Sequence, residues 1–487
     1  MRKSDETIVV MKQANNTDKQ NVAEPVERRV STEGNSSTQP EAGSRYLAGS
    51  EGKLARIRAI AREDKGLKFV NLLHHVSKPL LYRAYQSLKK KAAAGVDGET
   101  WTSYGKTLET NISNLHKNVQ DGRYKAKAVL RKWIDKPDGT KRPLGITCVE
   151  DKILQQAMVW VLESIYEQDF LGFSYGFRPK RNQHKALDAL YVAITQKKVS
   201  YVLDADIKGF FDQIDQQQLK QFLQHRISDR RIHRLIEQNL RAGVIDDEQW
   251  SRSKTGIPQG GVLSPLLANI YLHYAFDQWA NQWRKRHARG EVYIIRYADD
   301  IITCFQYEED GKNFKVALEQ RLARFKLMLH PKKTKLIEFG RFACGNYQKK
   351  QGGKPETFDF LGFTHICSKR RSDGKFTVRR YTIAKRQRAK LNEVRQWLKK
   401  NCHRSITEQG QKLKSVITGA MNYYGVPGNG KAIAAFRTEI CKSWLNALRR
   451  RSQKAGKFTW KKMQIIISIW IPLNKTTHPY PSQRLSV

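Results

Sequence analysis

The chain has 487 residues, 39% of them hydrophobic and 28% charged, and its 89 Lys and Arg against 46 Asp and Glu give a formal net charge of +43. An excess that large repels itself unless a polyanion lies against it, so the composition points to nucleic acid as the partner. Six cysteines with no C-x-x-C pair argue against a disulfide or zinc framework. The absence of a secretory signal or an apolar run long enough to cross a bilayer argues for a cytoplasmic protein that stays off membranes.

Residues 1–45 are rich in Asn, Thr, Ser, Gln and Glu and read as a disordered leader, unable to bury enough apolar area to offset ordering. Residues 46–120 read as an N-terminal helical extension, with Leu72, Leu73, Val76, Leu80 and Leu81 at helical spacing and Gly95-Val96-Asp97-Gly98 as a turn. From 121 to 375 short strands alternate with helices, an α+β pattern. Val129-Leu130-Arg131-Lys132-Trp133-Ile134 is strand-like, Pro137-Asp138-Gly139-Thr140 is a turn, and Arg142-Pro143-Leu144-Gly145-Ile146 resumes extended structure. A long helix follows through Ile153, Leu154, Ala157, Val161, Leu162 and Ile165. Residues 376–487 turn helical and basic, with Trp397, Trp444 and Trp460 among the charges.

Two apolar strands end in acids. Tyr201-Val202-Leu203-Asp204-Ala205-Asp206 puts Asp204 and Asp206 on one face by the period of two, with Asp212 close behind. Val292-Tyr293-Ile294-Ile295-Arg296-Tyr297 runs into Ala298-Asp299-Asp300 and then a further apolar strand, which reads as a hairpin with an acidic turn. Carboxylates at the ends of buried strands cost stability unless something neutralises them. Two Mg²⁺ ions would do so, since magnesium takes carboxylate oxygens and leaves room for substrate phosphate. That arrangement suits phosphoryl transfer, one ion activating a hydroxyl and the other holding the leaving pyrophosphate. A lone Asp-Asp pair is more often a solvated hairpin tip; the second acidic strand is what weighs against that here.

These motifs resemble reverse transcriptases, and specifically those of group II introns. Tyr297-Ala298-Asp299-Asp300 is similar to the catalytic box, Asp206 to Asp212 to the box supplying another metal-binding aspartate, and Gly256-Ile257-Pro258-Gln259-Gly260-Gly261 to the block between them. The resemblance implies a right-hand polymerase of fingers, palm and thumb, with an N-terminal helical extension and a C-terminal maturase segment. It implies Asp206, Asp299 and Asp300 as catalytic metal ligands; Asp204 and Asp212 are alternatives by position and read as structural. Lys136, Arg142, Phe211, Gln259 and Lys333 are implied at the deoxynucleoside triphosphate, Phe211 as the ring that excludes a ribose 2′-hydroxyl; Phe360, Leu361 and Gly362 are implied as the primer grip. Ser174-Tyr175-Gly176-Phe177-Arg178-Pro179 is a block shared with the group II branch. Gly419-Ala420-Met421-Asn422-Tyr423-Tyr424-Gly425 resembles the maturase segment, where Lys385, Arg386, Arg388, Tyr423, Tyr424, Arg449 and Arg450 are expected to meet RNA by phosphate contact and base stacking.

The expected activity is RNA-directed DNA synthesis on intron RNA for mobility, together with assistance to splicing. The partners are then group II intron RNA, target DNA and primer–template duplex, with a homodimer left open. Cys402-His403 stands without a second metal-binding pair, so no endonuclease is expected. Two other readings remain: a domesticated reverse transcriptase in defence or repair, and an RNA-binding splicing factor with a decayed polymerase.

Overall fold

The computed structural model describes residues 43–135, 141–246, 249–251, 255–350, 354–370 and 372–481. Most of the expected leader, and Lys136 with the hairpin tip at 137–140, lie outside the described residues. Among the described residues the first helix, α1 (Gly43–Glu63), begins inside the polar stretch.

The apolar positions at 72–81 do not form one helix. Leu73–His75 is a short 3-10 turn, Ser77 is extended, and α2 (Lys78–Ser87) starts afresh with Pro79 in its first turn. A proline there lacks only an N–H that would have no partner anyway, so it starts a helix rather than breaking one. Helix α3 (Leu108–Gln120) follows, and α1 and α2 pack on α4 (Val149–Tyr166), the long helix read from the sequence. Buried Arg226 holds the end of α1 by donating to the carbonyls of Ala61, Asp64 and Leu67. Asp229 accepts from the backbone N–H groups of Leu72 and Leu73. Gly98 accepts φ +68 in the expected turn.

Strands β1 (Val129–Asp135) and β2 (Lys141–Ile146) form an antiparallel hairpin that pairs Ile134 with Arg142. Strands β4 (Val244–Asp246) and β5 (Gln249–Ser251) extend it into a four-stranded sheet, with β4 parallel to β1.

The central sheet has the order β6-β7-β3-β8, all antiparallel: β6 (Val292–Tyr297), β7 (Asp300–Phe305), β3 (Tyr201–Asp206) and β8 (Lys335–Glu338). Both faces are covered. Leu203, Ala205, Ile294 and Ile301 join the large core with the helices. Val202, Tyr293, Ile295, Ile302 and Cys304 join a second core with α5 (Gln183–Gln196) and the sheet of β9 (Phe358–Phe360), β10 (Phe363–Lys369) and β11 (Phe376–Thr382). Burial on both sides explains why these strands read as nearly continuous apolar runs rather than alternating ones.

The long helices α6 (Ala384–Lys400), α7 (Ile406–Tyr424), α8 (Gly430–Arg449) and α9 (Trp460–Trp470) follow, around a third core. Trp444 sits at its centre, fully buried, its indole N–H donating to Gln409 at 2.8 Å. Trp444 is therefore a core residue. Among the described residues no helix is long and apolar enough to cross a membrane.

Candidate active site

Register brings the acids together. β3 and β7 pair antiparallel with Asp206 directly opposite Asp300, and the β6–β7 turn holds only Ala298 and Asp299. Asp204, Asp206 and Asp300 share the parity of Val202 and Ile302, so all three lie on the face of the second core. The turn is tight because Ala298 adopts φ +57, a left-handed conformation that few side chains favour.

Electrostatics follow from that crowding. Partial burial, then the charges of Asp300, Asp206 and Asp359, push the Asp204 carboxyl up to about 7. Asp300 is open to solvent on one side, yet the protein packed around it, then Asp299 and Asp206, push its carboxyl to about 7 as well, against the pull of Lys333 and Arg386. Lys333 forms an ion pair with Asp206, and that bond raises the ammonium pKa. Its loop is fixed to the strand end: His330 N–H donates to the Asp206 carbonyl at 2.7 Å, and Lys208 N–H to the Met328 carbonyl at 2.9 Å. Among the described residues no three His, Cys, Asp or Glu side chains already form a metal-holding cluster. The donor set nevertheless suits a hard divalent cation, because it consists of carboxylates whose mutual repulsion a cation would relieve.

The Pro258-Gln259-Gly260 turn packs on the segment just after β3. Gln259 donates to Asp212 at 3.3 Å, and Phe211 accepts from Ile257 N–H at 2.8 Å. Phe210 is buried, while Phe211 is half-buried with its ring edge against Phe210. Gly145 of β2 donates to the Gln259 carbonyl, and a Cβ on Gly260 would stand 2.2 Å from the Gly145 oxygen. The β1–β2 hairpin is thus fastened to this turn. Arg142 lies on its strand; its side chain, like Lys136, is outside the described atoms.

Phe360, Leu361 and Gly362 form the β9–β10 turn, with Phe360 buried and positive φ at Leu361 and Gly362. Two residues expected to meet RNA, Tyr423 and Tyr424, are half-buried against this turn. Tyr423 donates from its hydroxyl to the Leu361 carbonyl at 2.9 Å, and both Tyr423 and Tyr424 pack on buried Phe363. Arg386 stays exposed but stands over Gly362, 3.1 Å from where a Cβ would lie. Lys385, Arg388, Arg449 and Arg450 are exposed on the helical unit, Arg449 donating to the Phe458 carbonyl.

Residues 134–365 match the family described as reverse transcriptase (RNA-dependent DNA polymerase). Protein YkfC of Escherichia coli (strain K12) is 32% identical over 314 residues, covering 57% of this chain and 81% of YkfC. The group II intron-encoded protein LtrA of Lactococcus lactis subsp. cremoris is 37% identical over 238 residues, covering 48% of this chain and 39% of LtrA. The chain belongs to the group II intron reverse transcriptase/maturase family. A plant member, nuclear intron maturase 4, mitochondrial, of Arabidopsis thaliana, is 29% identical over 151 residues, 31% of this chain and 18% of the maturase. The match to YkfC spans most of that relative, whereas the matches to LtrA and the plant maturase span less than half of theirs.

Two features of this reverse transcriptase were not read from the sequence. Asp359 of β9 adds an acid near Asp204, and accepts from the Thr364 hydroxyl at 2.5 Å. Arg296, fully buried behind the acidic turn, pairs with equally buried Asp277. An arginine inside the apolar run of β6 was the available signal for the second. Asp277 gave none, because it lies in a π-helical segment, His273–Asp277, where helical spacing shifts by a residue.

Proposed function

We propose that this protein copies group II intron RNA into DNA from a primer 3′-hydroxyl and deoxynucleoside triphosphates, and that its C-terminal helical unit binds the intron to assist splicing. The observation that carries the reading is the β3–β7 register, which sets Asp206 against Asp300 with Asp299 in the adjoining turn. In this reading the central sheet is the palm and the β1–β2 sheet the fingers. Helices α6–α9 are the thumb and maturase segment, and the helices before β1 are the N-terminal extension.

Asp206, Asp299 and Asp300 would hold two Mg²⁺ ions, which when bound would supply charge neutralisation at the attacking hydroxyl and the leaving pyrophosphate. The chain's own residues do the rest. Lys333 gives the Asp206 carboxylate a counter-charge and would be available to the triphosphate were a cation to take that carboxylate. Lys136 and Arg142 bring further cations to the same phosphates from the fingers hairpin. The Phe211 ring stands where a ribose 2′-hydroxyl would fall, so it selects deoxynucleotides sterically. Gln259 is held by Asp212 beside that ring. The Phe360-Leu361-Gly362 turn presents backbone to the primer end. Lys385, Arg386, Arg388, Arg449 and Arg450 supply phosphate contacts for intron RNA and for the primer–template duplex.

Primer extension on a long RNA template with Mg²⁺ tests the reading. Asp299→Ala abolishes DNA synthesis while intron RNA still binds; a variant that extends the primer at the wild-type rate refutes the site.

A further inference from the structure

The geometry points to Arg296 as the positioning residue of the catalytic turn: with Asp277, Asn269 and Ser174 it clamps the Ala298 carbonyl and so aims Asp299 and Asp300. The inference rests on those two aspartates being the metal-holding pair.

Arg296 is wholly buried, and every one of its five N–H directions has an acceptor. Its Nε donates to Asp277 Oδ1 at 2.7 Å and its Nη2 to Asp277 Oδ2 at 2.6 Å, a bidentate pair between groups that are both 0% exposed. The second Nη2 proton goes to Ser174 Oγ at 2.7 Å. The two Nη1 protons go to Asn269 Oδ1 at 3.0 Å and to the Ala298 carbonyl at 3.1 Å. Only the last of these reaches the turn; the others fix the guanidinium so that it can hold that carbonyl.

The supports are tied in from three elements. Asn269 donates to the Gly176 carbonyl at 2.7 Å, and a Cβ on Gly176 would come 2.4 Å from the Ala298 nitrogen. Tyr175 N–H donates to the Arg296 carbonyl and Arg296 N–H to the Phe173 carbonyl, both at 2.8 Å, so residues 173–175 run as an extra edge beside β6. Ser174, Tyr175 and Gly176 therefore back the turn.

An ion pair buried this completely is weak evidence for stability, since apolar residues could fill the space as well. What apolar residues could not do is hold a carbonyl in a left-handed turn at a non-glycine residue. Lysine could not do it either, because it lacks the rigid planar fork that meets Asp277, Asn269, Ser174 and Ala298 together.

The test compares Arg296→Lys with Arg380→Lys in the full-length protein. Arg380 makes another buried pair, with Asp188 at 3.2 Å, but on β11 and away from the turn. Thermal melts and Mg²⁺ titrations of primer extension are read together. Both variants lower the melting temperature. Arg296→Lys also lowers kcat and raises the half-saturating Mg²⁺ concentration, each by about tenfold or more, with KM for the nucleotide changed far less. Arg380→Lys leaves the Mg²⁺ dependence at the wild-type value. Should Arg296→Lys fail to fold, Asn269→Ala keeps the ion pair and gives a smaller shift in the same direction. The inference is overturned if the folded Arg296 or Asn269 variant needs no more Mg²⁺ than wild type, or if Arg380→Lys shifts it equally. Asp299→Ala, run alongside, separates this failure from that of the site itself: it loses synthesis if the aspartate assignment is right, whatever Arg296 does.

Discussion

Replacing Asp204 by asparagine should stabilise the protein, and more so at alkaline pH. The Asp204 carboxyl stands at about 7 against an ordinary 3.8, raised by partial burial and by Asp300, Asp206 and Asp359. A group that holds its proton more tightly when folded favours the folded state while protonated. Stability is therefore lost as pH rises from about 4 to about 7 and stays lost above. A rise of that size corresponds to about 4 kcal/mol as an upper limit. Asp204 is only half-buried and coupled to its neighbours, so solvent screening brings the usable figure to about 1–2 kcal/mol. Asparagine keeps the shape and removes the charge. Denaturant melts in EDTA should show Asp204→Asn more stable than wild type at pH 8, with the gain shrinking by half or more at pH 5. A gain of equal size at both pH values, or a loss at pH 8, would show that Asp204 is not strained by the neighbouring acids.

The Asp300 carboxyl at about 7 makes protons compete with divalent cations: about a tenth of it is ionised at pH 6 and about nine-tenths at pH 8. The Mg²⁺ concentration that half-saturates single-turnover synthesis should accordingly fall about tenfold between those values, and a flat dependence would contradict the shift. Gly260→Ala places a Cβ 2.2 Å from the Gly145 carbonyl at φ +112, so the turn must move. Strain of ~1–3 kcal/mol should appear as about a tenfold or greater loss in kcat/KM for the nucleotide, measured by steady-state extension. Tyr423→Phe deletes the bond to the Leu361 carbonyl, worth ~1 kcal/mol net. Weaker primer–template binding in gel-shift titrations, at unchanged nucleotide KM, is the expected result.

How much of this was legible depended on whether the signal was local. Strands β3, β6 and β7 announced themselves as apolar runs, and their acids stood at the ends, so the hairpin and the convergence of Asp206 with Asp300 could be anticipated. The β1–β2 hairpin and helix α4 were equally plain. The break between Leu73–His75 and α2 was written in Ser77 and Pro79, but the apolar spacing hid it. The inward packing of Trp444 and the bond from Tyr423 to Leu361 were hidden for a deeper reason. In a basic helix an aromatic residue looks the same whether it faces RNA or the next helix, and only the partners Gln409 and Leu361, 35 and 62 residues away, decide. The Arg296–Asp277 pair was hidden twice over, by lying on two different elements, 19 residues apart, and by a π-helical step that moves Asp277 off regular spacing.

The inward turn of Tyr423 changes how the two halves of the chain relate. Were the C-terminal helices a separate RNA-binding module, its rings would be free and its link to the polymerase only a peptide tether. Instead Tyr423 bonds the β9–β10 turn, Asn429 joins Thr382 of β11 to the Tyr424 carbonyl, and His478 stacks on His184 of α5 with ring centroids 3.7 Å apart. Arg386 of α6 lies close enough to Asp300 to draw its carboxyl pKa down. A phosphate that engaged Arg386 would withdraw that influence from the acid cluster. Nucleic acid held by the helical unit is thereby coupled electrostatically to the residues assigned to catalysis, and the coupling should weaken as salt screens Arg386.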